Sequence, residues 1–169
     1  MAKTMYLIER LYVITHHGGG VKVPYQYTYP LCHYIMAPIR KYMCVVVIPS
    51  IPFNGLRVLL YKMIGFKIGK GCFIGMRCYL DDYCYKDIEI GNNVTVSYGV
   101  YFACHGKHQG HHKIIIEDNA YVGMKASIIC PKGDVIIGKE AIVGTMTFVN
   151  KSVPPKTTAV GVPCKFLNN

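Results

Sequence analysis

The sequence has no tryptophan, little negative charge and no long apolar run. Asp and Glu together number 9, against 19 Lys and Arg, which gives a net charge of +10. The longest purely aliphatic run, Val45 to Ile48, stops at Pro49 and is far shorter than the roughly 20 residues that a membrane-spanning helix needs. The N-terminal segment carries Glu9 and Arg10 within its apolar stretch, and no small-residue cleavage site follows it. We therefore predict neither a transmembrane helix nor secretion.

The eight cysteines do not indicate a disulfide framework. Three of them, Cys72, Cys78 and Cys84, recur every six residues, and structural equivalence explains this regularity better than pairing does. We interpret them as reduced thiols that serve as small apolar side chains. This interpretation predicts a cytoplasmic location.

Positive charge is concentrated towards the N-terminus. Residues 1–65 contain seven Lys or Arg and one acid, a balance of +6, whereas residues 66–169 contain twelve and eight, a balance of +4. This distribution suits a polyanionic ligand or peripheral contact with an acidic membrane surface. Nucleic acid is disfavoured as a partner, because the sequence has no basic helix, zinc-finger spacing or aromatic ribonucleoprotein motif.

From Ile68 onward, a large apolar residue returns every six positions, and a small residue usually follows it four positions later. The pattern comprises twelve hexads in four sets of three, which start at Ile68, Ile90, Ile116 and Ile137. Strands alone have a period of two, so a period of six indicates short strands separated by regular corners. We predict that glycine or another small residue lets the chain turn there, and that stacked coils pair as parallel strands. The anchors predicted to face the interior include Ile90, Val96, Ile116, Val122 and Val143.

Insertions interrupt the repeat at three places. The coil starts are 22, 26 and 21 residues apart, so the surplus over 18 predicts insertions of about four, eight and three residues. The longest, KHQGHHKI, follows His105, and four of the seven histidines lie within residues 105–112. Insertions in solenoids form external loops on one face, which is often the binding face.

Residues 1–65 lack the repeat and are predicted to be partly helical. The stretch 2–13 is consistent with one helix, and NGLRVLLYKMIG predicts a short amphipathic helix with Asn54 as its N-cap and Gly65 as its C-cap. We therefore predict two parts: residues 1–65 form an N-terminal segment of unknown role, and residues 66–169 form the β-domain with a C-terminal closing segment.

Residues 54–169 resemble the hexapeptide-repeat acetyltransferases, in particular the galactoside, maltose and polysaccharide O-acetyltransferase group. Three stretches carry the resemblance: IEIGNNVTVSYGVYFACHG, IIIEDNAYVGMKASI and VNKSVPPKTTAVGVPCKFL. The resemblance implies a mainly β fold, a left-handed parallel β-helix of about four coils. It also implies acetyl-CoA as co-substrate, a sugar or polysaccharide hydroxyl as acceptor, and a homotrimer whose sites are shared between chains.

The resemblance also implies roles for individual residues. His105 matches the family's general base, a task that suits an imidazole because it titrates near neutrality. An oxyanion donor is expected around Gly123 and Met124, and Asp81 and Asp82 match an acidic pair near the acceptor. The remaining expected contacts are Thr145, Asn150, Lys151 and Lys165 with the cofactor, and His111 and His112 with the acceptor.

Three other interpretations compete with this one. GKHQGHHKI also resembles the loop of serine acetyltransferases, although the histidine expected near Gly75 and Met76 is missing; an amino-sugar acetyltransferase is a related alternative. The γ-class carbonic anhydrases share the fold and bind zinc through histidines, but His108, His111 and His112 lie in a glycine-containing loop, so we predict no metal. An inactive scaffold is disfavoured by the matched histidine and the C-terminal motif.

Overall fold

The computed structural model describes three stretches of the chain, residues 7–15, 31–105 and 111–167. The chain divides into two compact units, Met1–Arg40 and Lys41–Asn169. The first contains α1 (Leu7–Thr15), which overlaps the predicted N-terminal helix, and most of α2 (Leu31–Tyr42). Among the described residues, no helix is both long and apolar enough to cross a bilayer.

The second unit begins with helical segments that lead into the repeat. A π-helical turn (Met43–Val47) and the short α3 (Ile48–Ser50) precede α4 (Asn54–Ile64). Helix α4 ends at Gly65, whose left-handed φ of 117° confirms the predicted C-cap. The domain boundary after residue 65 remains a prediction.

The rest of this unit is a parallel β-solenoid of about four coils, which confirms the predicted fold class. Its strands form three faces, named here in the order in which the chain reaches them. The first face contains β1 (Lys67–Ile68), β3 (Ile88–Ile90), β6 (Ile114–Ile116) and β9 (Val135–Ile137). The second contains β2 (Phe73–Ile74), β4 (Thr95–Val96), β7 (Tyr121–Val122), β10 (Ile142–Val143), β12 (Thr158–Val160) and β13 (Lys165–Leu167). The third contains β5 (Tyr101–Ala103), β8 (Ser127–Ile129) and β11 (Phe148–Val149).

The register between coils is the one that the repeat predicts. On the first face, Ile68 pairs with Ile90, Ile90 with Ile116, and Ile116 with Ile137. On the second face, Val122 lies between the anchors of the coils before and after it. The predicted anchors are buried, and together with cysteines and alanines they form one apolar core.

Small residues have two different roles in each hexad. We expected the glycine that follows the anchor to permit the turn, but a Cβ at Gly123 would instead lie 2.6 Å from the backbone nitrogen of Thr145 in the next coil. Where the second hexad position is glycine, as at Gly123, the missing side chain lets the coils stack. The left-handed backbone occurs two residues later. Asparagine and glycine, which tolerate this conformation, hold the position at Asn93 (φ 53°), Gly99 (φ 70°) and Asn119 (φ 60°). The same conformation also occurs at Arg77, Lys125, Glu140 and Met146, so the coil geometry imposes it whatever the residue type.

Replacing Gly75 with alanine should lower the free energy of unfolding by about 1–3 kcal/mol. The added Cβ would lie 2.6 Å from backbone atoms of Ser97 and Tyr98 in the next coil, so the two coils would have to separate. Urea denaturation measures the change. Gly133→Ala is the matched control, because no atom lies within 4 Å of the added Cβ; equal losses in both variants would contradict this explanation.

Helix α4 covers the edge of the second face at the start of the coils, where β2 is the edge strand. The Asn54 side chain donates to the Cys72 carbonyl (3.0 Å) and accepts from the Ile74 N–H (2.9 Å). The buried Arg57 donates twice to the Ile74 carbonyl, at 2.9 and 2.7 Å. The prediction that Asn54 caps the helix is therefore wrong: Phe53 is the N-cap residue, and the Asn54 amide satisfies the strand edge instead.

All three insertions leave the coils at one corner, between the third and first faces. Their described residues are 81–87, 104–105, 111–113 and 130–134, and we call this the insertion corner. At the C-terminal end, β13 pairs antiparallel with β12, so the closing segment folds back onto the second face. Side chains that are distant in sequence thus meet where the repeat is interrupted.

Candidate active site

His105 lies at the insertion corner, two residues after the end of β5. About half of its side chain (47%) is exposed. Its backbone forms an antiparallel bridge with His111, and the His112 N–H donates to the Cys104 carbonyl at 2.8 Å. The two ends of the longest insertion are therefore tied together, and the imidazole remains open to solvent at the end of a rigid coil.

A buried carboxylate faces His105. Asp81 Oδ2 lies 3.8 Å from His105 Nε2, and only 2% of the Asp81 side chain is exposed. The same Oδ2 accepts from the Cys104 N–H (3.1 Å), while Oδ1 accepts from the N–H groups of Tyr83 and Cys84 (3.2 and 3.3 Å). Three backbone donors thus fix the carboxylate where it can stabilise an imidazolium that forms when the ring takes a proton.

Asp82, the second member of the predicted acidic pair, is also buried. The Tyr79 hydroxyl donates to Asp82 Oδ1 at 3.4 Å, and the Tyr79 ring stacks on Tyr101 with centroids 4.6 Å apart. Burial, reinforced by the negative charges of Asp81 and Asp82, raises the pKa of Tyr79, so its hydroxyl remains a hydrogen-bond donor. The structure therefore brings the acidic pair to the insertion corner and directs its two members at different partners.

The other histidines of this stretch have different surroundings. His111 Nδ1 lies 3.5 Å from the Cys84 sulfur, and His112 Nδ1 lies 4.0 Å from Asp134 Oδ1. His108 is outside the described residues. The sequence interpretation missed Cys84 and Asp134 as neighbours of the histidines. The spacing of the coil starts could have identified them, because it places all three insertions, which contain Cys84, the histidines and Asp134, at the same corner.

Five of the six residues predicted to bind the cofactor fall into two groups. Gly123, Met124 and Thr145 lie on the turns between the second and third faces, in consecutive coils. Asn150 and Lys151 follow β11 on the insertion-corner side of the third face, where β11 is two strands away from β5, or about 10 Å at the usual spacing. One chain therefore brings Asn150 and Lys151 to the side of His105, but places the other three residues at another corner.

The backbone donors of the first group are not equivalent. The Gly123 N–H donates to the Val143 carbonyl at 2.7 Å and so joins two coils. The Met124 N–H has no backbone acceptor among the residues that the structure describes, and the Met124 side chain is exposed. Met124 is therefore better placed than Gly123 to donate to a ligand.

Of the two predicted cofactor lysines, Lys151 contacts an aromatic ring of β13 and Lys165 belongs to that strand. The Lys151 ammonium lies 4.5 Å from the centroid of the Phe166 ring, a cation–π contact. Lys165 precedes Phe166 in β13 and is exposed. Both positive charges are therefore available to an anionic ligand.

Cys104, although it is adjacent to His105, is fully buried. A hydrogen bond with Cys84 and burial raise the pKa of the Cys104 thiol, so it is protonated at neutral pH. The cysteines whose side chains the structure describes are all free thiols, as the six-residue spacing predicts. Cys104 is therefore a packed side chain and does not have the properties of a nucleophile.

A groove crosses the outer surface of the first face and is lined by charged side chains, isoleucines and glycines. Lys67 Nζ lies 2.7 Å from Glu89 Oε1, and Glu117 Oε2 accepts from the Lys139 N–H at 2.7 Å. These groups join consecutive coils, and none of the predicted site residues lines the groove. The insertion corner, which holds the histidine and the buried carboxylate, is therefore the better candidate for chemistry.

The chain is similar to known proteins over its repeat region. A family model described as the hexapeptide repeat of succinyl-transferase matches residues 66–102 and 113–151. The serine acetyltransferase of Bacillus licheniformis is 38% identical over 101 residues, which are 59% of this chain and 44% of that protein. The bifunctional protein GlmU of Rubrobacter xylanophilus is 34% identical over 83 residues, 49% of this chain and 17% of that protein. The chain thus spans less than half the length of these two relatives.

A solved structure has the same architecture. It is that of a hexapeptide-repeat-containing acetyltransferase from Vibrio cholerae O1 biovar eltor, complexed with acetyl coenzyme A. The two chains align with a TM-score of 0.63 and 21% identity, over 90% of this chain and 92% of the other. At this identity the likeness concerns the fold, the parallel β-solenoid described above.

Proposed function

We propose, because its repeat region matches the hexapeptide-repeat family model and a serine acetyltransferase sequence, that the chain transfers an acetyl group from acetyl-CoA to a hydroxyl group, with His105 as general base. The observation that carries this proposal is the pair formed by the half-exposed His105 imidazole and the buried Asp81 carboxylate, 3.8 Å apart. A base for this reaction must be reachable by the acceptor and held in a fixed position. His105 meets both conditions.

In the proposed reaction, His105 Nδ1 takes the proton of the acceptor hydroxyl while the hydroxyl oxygen attacks the thioester carbonyl. The new C–O bond forms, the C–S bond breaks, and the proton passes to the departing CoA sulfur. Asp81 lies on the Nε2 side of the ring, where its charge stabilises the imidazolium. We therefore propose that Asp81 positions and supports His105, instead of contacting the acceptor as the resemblance implies.

The negative charge that develops on the thioester oxygen needs a fixed donor. We assign this role to the Met124 N–H, because the Gly123 N–H already donates to a neighbouring coil. Lys151 and Lys165 are proposed to attract the phosphates of CoA as point charges, with Thr145 and Asn150 along the cofactor. No covalent enzyme intermediate is needed, so the buried Cys104 takes no part.

A second copy of the chain is proposed to complete each site. Met124 and Thr145 lie at a different corner of the coil from His105, so one chain does not gather all the proposed residues in one place. A homotrimer with its sites at the interfaces would bring one chain's His105 to the Met124 turn of its neighbour. Closed cyclic symmetry would generate three equivalent sites.

The proposed acceptor is a hydroxyl of a sugar or polysaccharide unit. Asp82 follows Asp81 in the chain, and the N–H of the loop residue His112 donates to the carbonyl of Cys104, which precedes His105; the side chains of Asp82 and His112 suit hydrogen bonds with sugar hydroxyls. Serine is the second candidate, favoured by the 38% identity to a serine acetyltransferase. The similarity to GlmU keeps an amino sugar as a third.

Three further expectations remain predictions. They are a cytoplasmic location, membrane contact of residues 1–65 and the absence of a nucleic-acid partner.

Release of free CoA thiol from acetyl-CoA, measured with a panel of acceptors, tests this function. We expect release that depends on a sugar, oligosaccharide or nucleotide sugar, and a product whose ester is cleaved by mild alkali. Release with L-serine alone would favour the second candidate, and an alkali-stable amide would favour an amino sugar. Lack of release with every acceptor, in a protein that is folded and trimeric, would contradict the proposal and favour an inactive scaffold.

A further inference from the structure

Three side chains of different chemistry converge at the insertion corner beside the proposed base. They are the thiol of Cys84, the carboxylate of Asp87 and the imidazole of His111, and one ligand atom from each lies within 4.8 Å of the other two. Cys84 is buried, Asp87 is half-buried and His111 is exposed. The acetyl transfer proposed above needs neither Cys84 nor Asp87, so their convergence on His111 calls for another explanation.

The local structure holds these three residues in place. The Asp87 N–H donates to the Cys84 carbonyl at 2.8 Å, which closes a turn that brings both side chains to the same side. The Ile114 N–H donates to the Asp87 carbonyl at 2.9 Å and ties this turn to the strand that follows His111. The Tyr83 ring meets the imidazole edge-on, with centroids 5.7 Å apart. The cluster is thus supported by the coils themselves.

The spacing of the ligand atoms fits a zinc ion. Zinc binds thiolate sulfur at about 2.3 Å and imidazole nitrogen at about 2.0–2.1 Å, so a tetrahedral site separates the two atoms by about 3.5–3.6 Å. The distance from Cys84 Sγ to His111 Nδ1 is 3.5 Å. The Asp87 carboxylate oxygen lies within 4.8 Å of both atoms and is the third donor. We propose that Cys84, Asp87 and His111 bind one zinc ion per chain.

The chemistry of the donors selects this class of metal. Thiolate and imidazole are ligands for zinc and related transition metals, whereas magnesium and calcium require oxygen ligands. Three protein ligands leave a fourth position for water. This inference replaces the expectation that no metal binds, and it makes His111 a metal ligand instead of an acceptor contact. It does not involve histidines of a neighbouring chain.

The metal would act as a clamp on the loop next to the active site. Cys84 and Asp87 belong to the first insertion, whereas His111 belongs to the insertion that begins at His105. A bond from each to one ion would join the two insertions. The Cys84 N–H also donates to the Asp81 carboxylate that faces His105. One turn of backbone therefore holds both a proposed zinc ligand, Cys84, and the carboxylate that supports the proposed base.

Cobalt titration of tag-free protein, first stripped of metal with a chelator, tests the site. Co²⁺ replaces zinc in such sites, and a thiolate ligand gives a charge-transfer absorption that oxygen and nitrogen ligands do not give. We expect this absorption to saturate at one equivalent per chain and to disappear when zinc is added. Zinc should also raise the thermal unfolding midpoint, because it binds only the folded chain. Failure of wild-type protein to show the absorption would overturn the inference.

Single substitutions identify the ligands. Cys84→Ala and His111→Ala should abolish the charge-transfer absorption, and Asp87→Asn should weaken cobalt binding by roughly 10-fold or more. Cys130→Ala and His112→Ala are matched controls, since each removes a neighbouring thiol or imidazole outside the cluster, and both should bind as wild type does. Should Cys84→Ala fail to fold, the exposed His111→Ala and the half-exposed Asp87→Asn decide the matter. Retained absorption in His111→Ala, or loss confined to the controls, would contradict the site.

The metal site and the proposed acetyl transfer can fail independently. His105→Ala should bind cobalt as wild type does, because His105 is not part of the cluster. A chain that binds cobalt but releases no CoA thiol would retain the metal site and reject the proposed function. A chain that releases thiol but never binds cobalt would do the reverse.

Discussion

Replacing His105 with alanine should lower the rate of acetyl transfer by roughly 10²-fold or more. The substitution removes the group that takes the acceptor's proton, while the half-exposed side chain contributes little to the core. Folding and the affinity for CoA should therefore change little. Steady-state thiol release, together with calorimetric titration of CoA, separates the loss of rate from any loss of binding.

The matched control for this experiment is His112→Ala. That imidazole belongs to the same loop but lies near Asp134, so its removal should act mainly through the KM of the acceptor. Full activity in His105→Ala would reject the assignment of the base. A much larger loss of kcat in His112→Ala than in His105→Ala would move that role to the loop.

Val122→Asp should lower the free energy of unfolding by about 3–5 kcal/mol. Val122 is fully buried, and its strand β7 lies between β4 and β10 on the second face. A carboxylate there would have no partner and no water. Because domains of this kind are stable by only about 5–15 kcal/mol, the change removes a large part of the total and is readily measured by urea denaturation.

Tyr121→Asp is the control for the buried charge. Tyr121 is the neighbouring residue of the same strand, but its side chain lies on the outer surface and is exposed. The same new charge also removes the hydrogen bond that Ser97 Oγ donates to the Tyr121 hydroxyl, so it should lower stability by about 1 kcal/mol. Comparable losses in the two variants would mean that the anchors do not face an apolar interior.

Much of the coil architecture could be predicted from the sequence, because the repeat leaves little freedom in register. A shift of one residue would move every anchor from the interior to the solvent, and only one alignment puts Ile68, Ile90, Ile116 and Ile137 in one row. The structure has that alignment. The same intervals predicted where the insertions occur, and hence where His105 lies.

The details that escaped prediction depend on contacts between coils or between elements. The need for glycine after several of the anchors comes from the backbone of the next coil, as at Gly123, and no local propensity reports it. Asn54 is a residue type that often caps helices, but its side chain hydrogen-bonds to the backbone 18 to 20 residues later, at the edge strand. The pairing of Asp81 with His105 likewise depends on which way a buried side chain faces, and a repeat pattern carries no information about that.

The hydrogen bonds of Asn54 and Arg57 at β2 affect whether molecules of this protein associate end to end in solution. Stacked coils present the same ladder of N–H and carbonyl groups at both ends, so an open end would accept the coil of another molecule as readily as its own next turn. Such a head-to-tail contact does not close, and it would continue into a fibre. With Asn54 and Arg57 bonded to the backbone of Cys72 and Ile74, this part of the first coil offers no template for such growth.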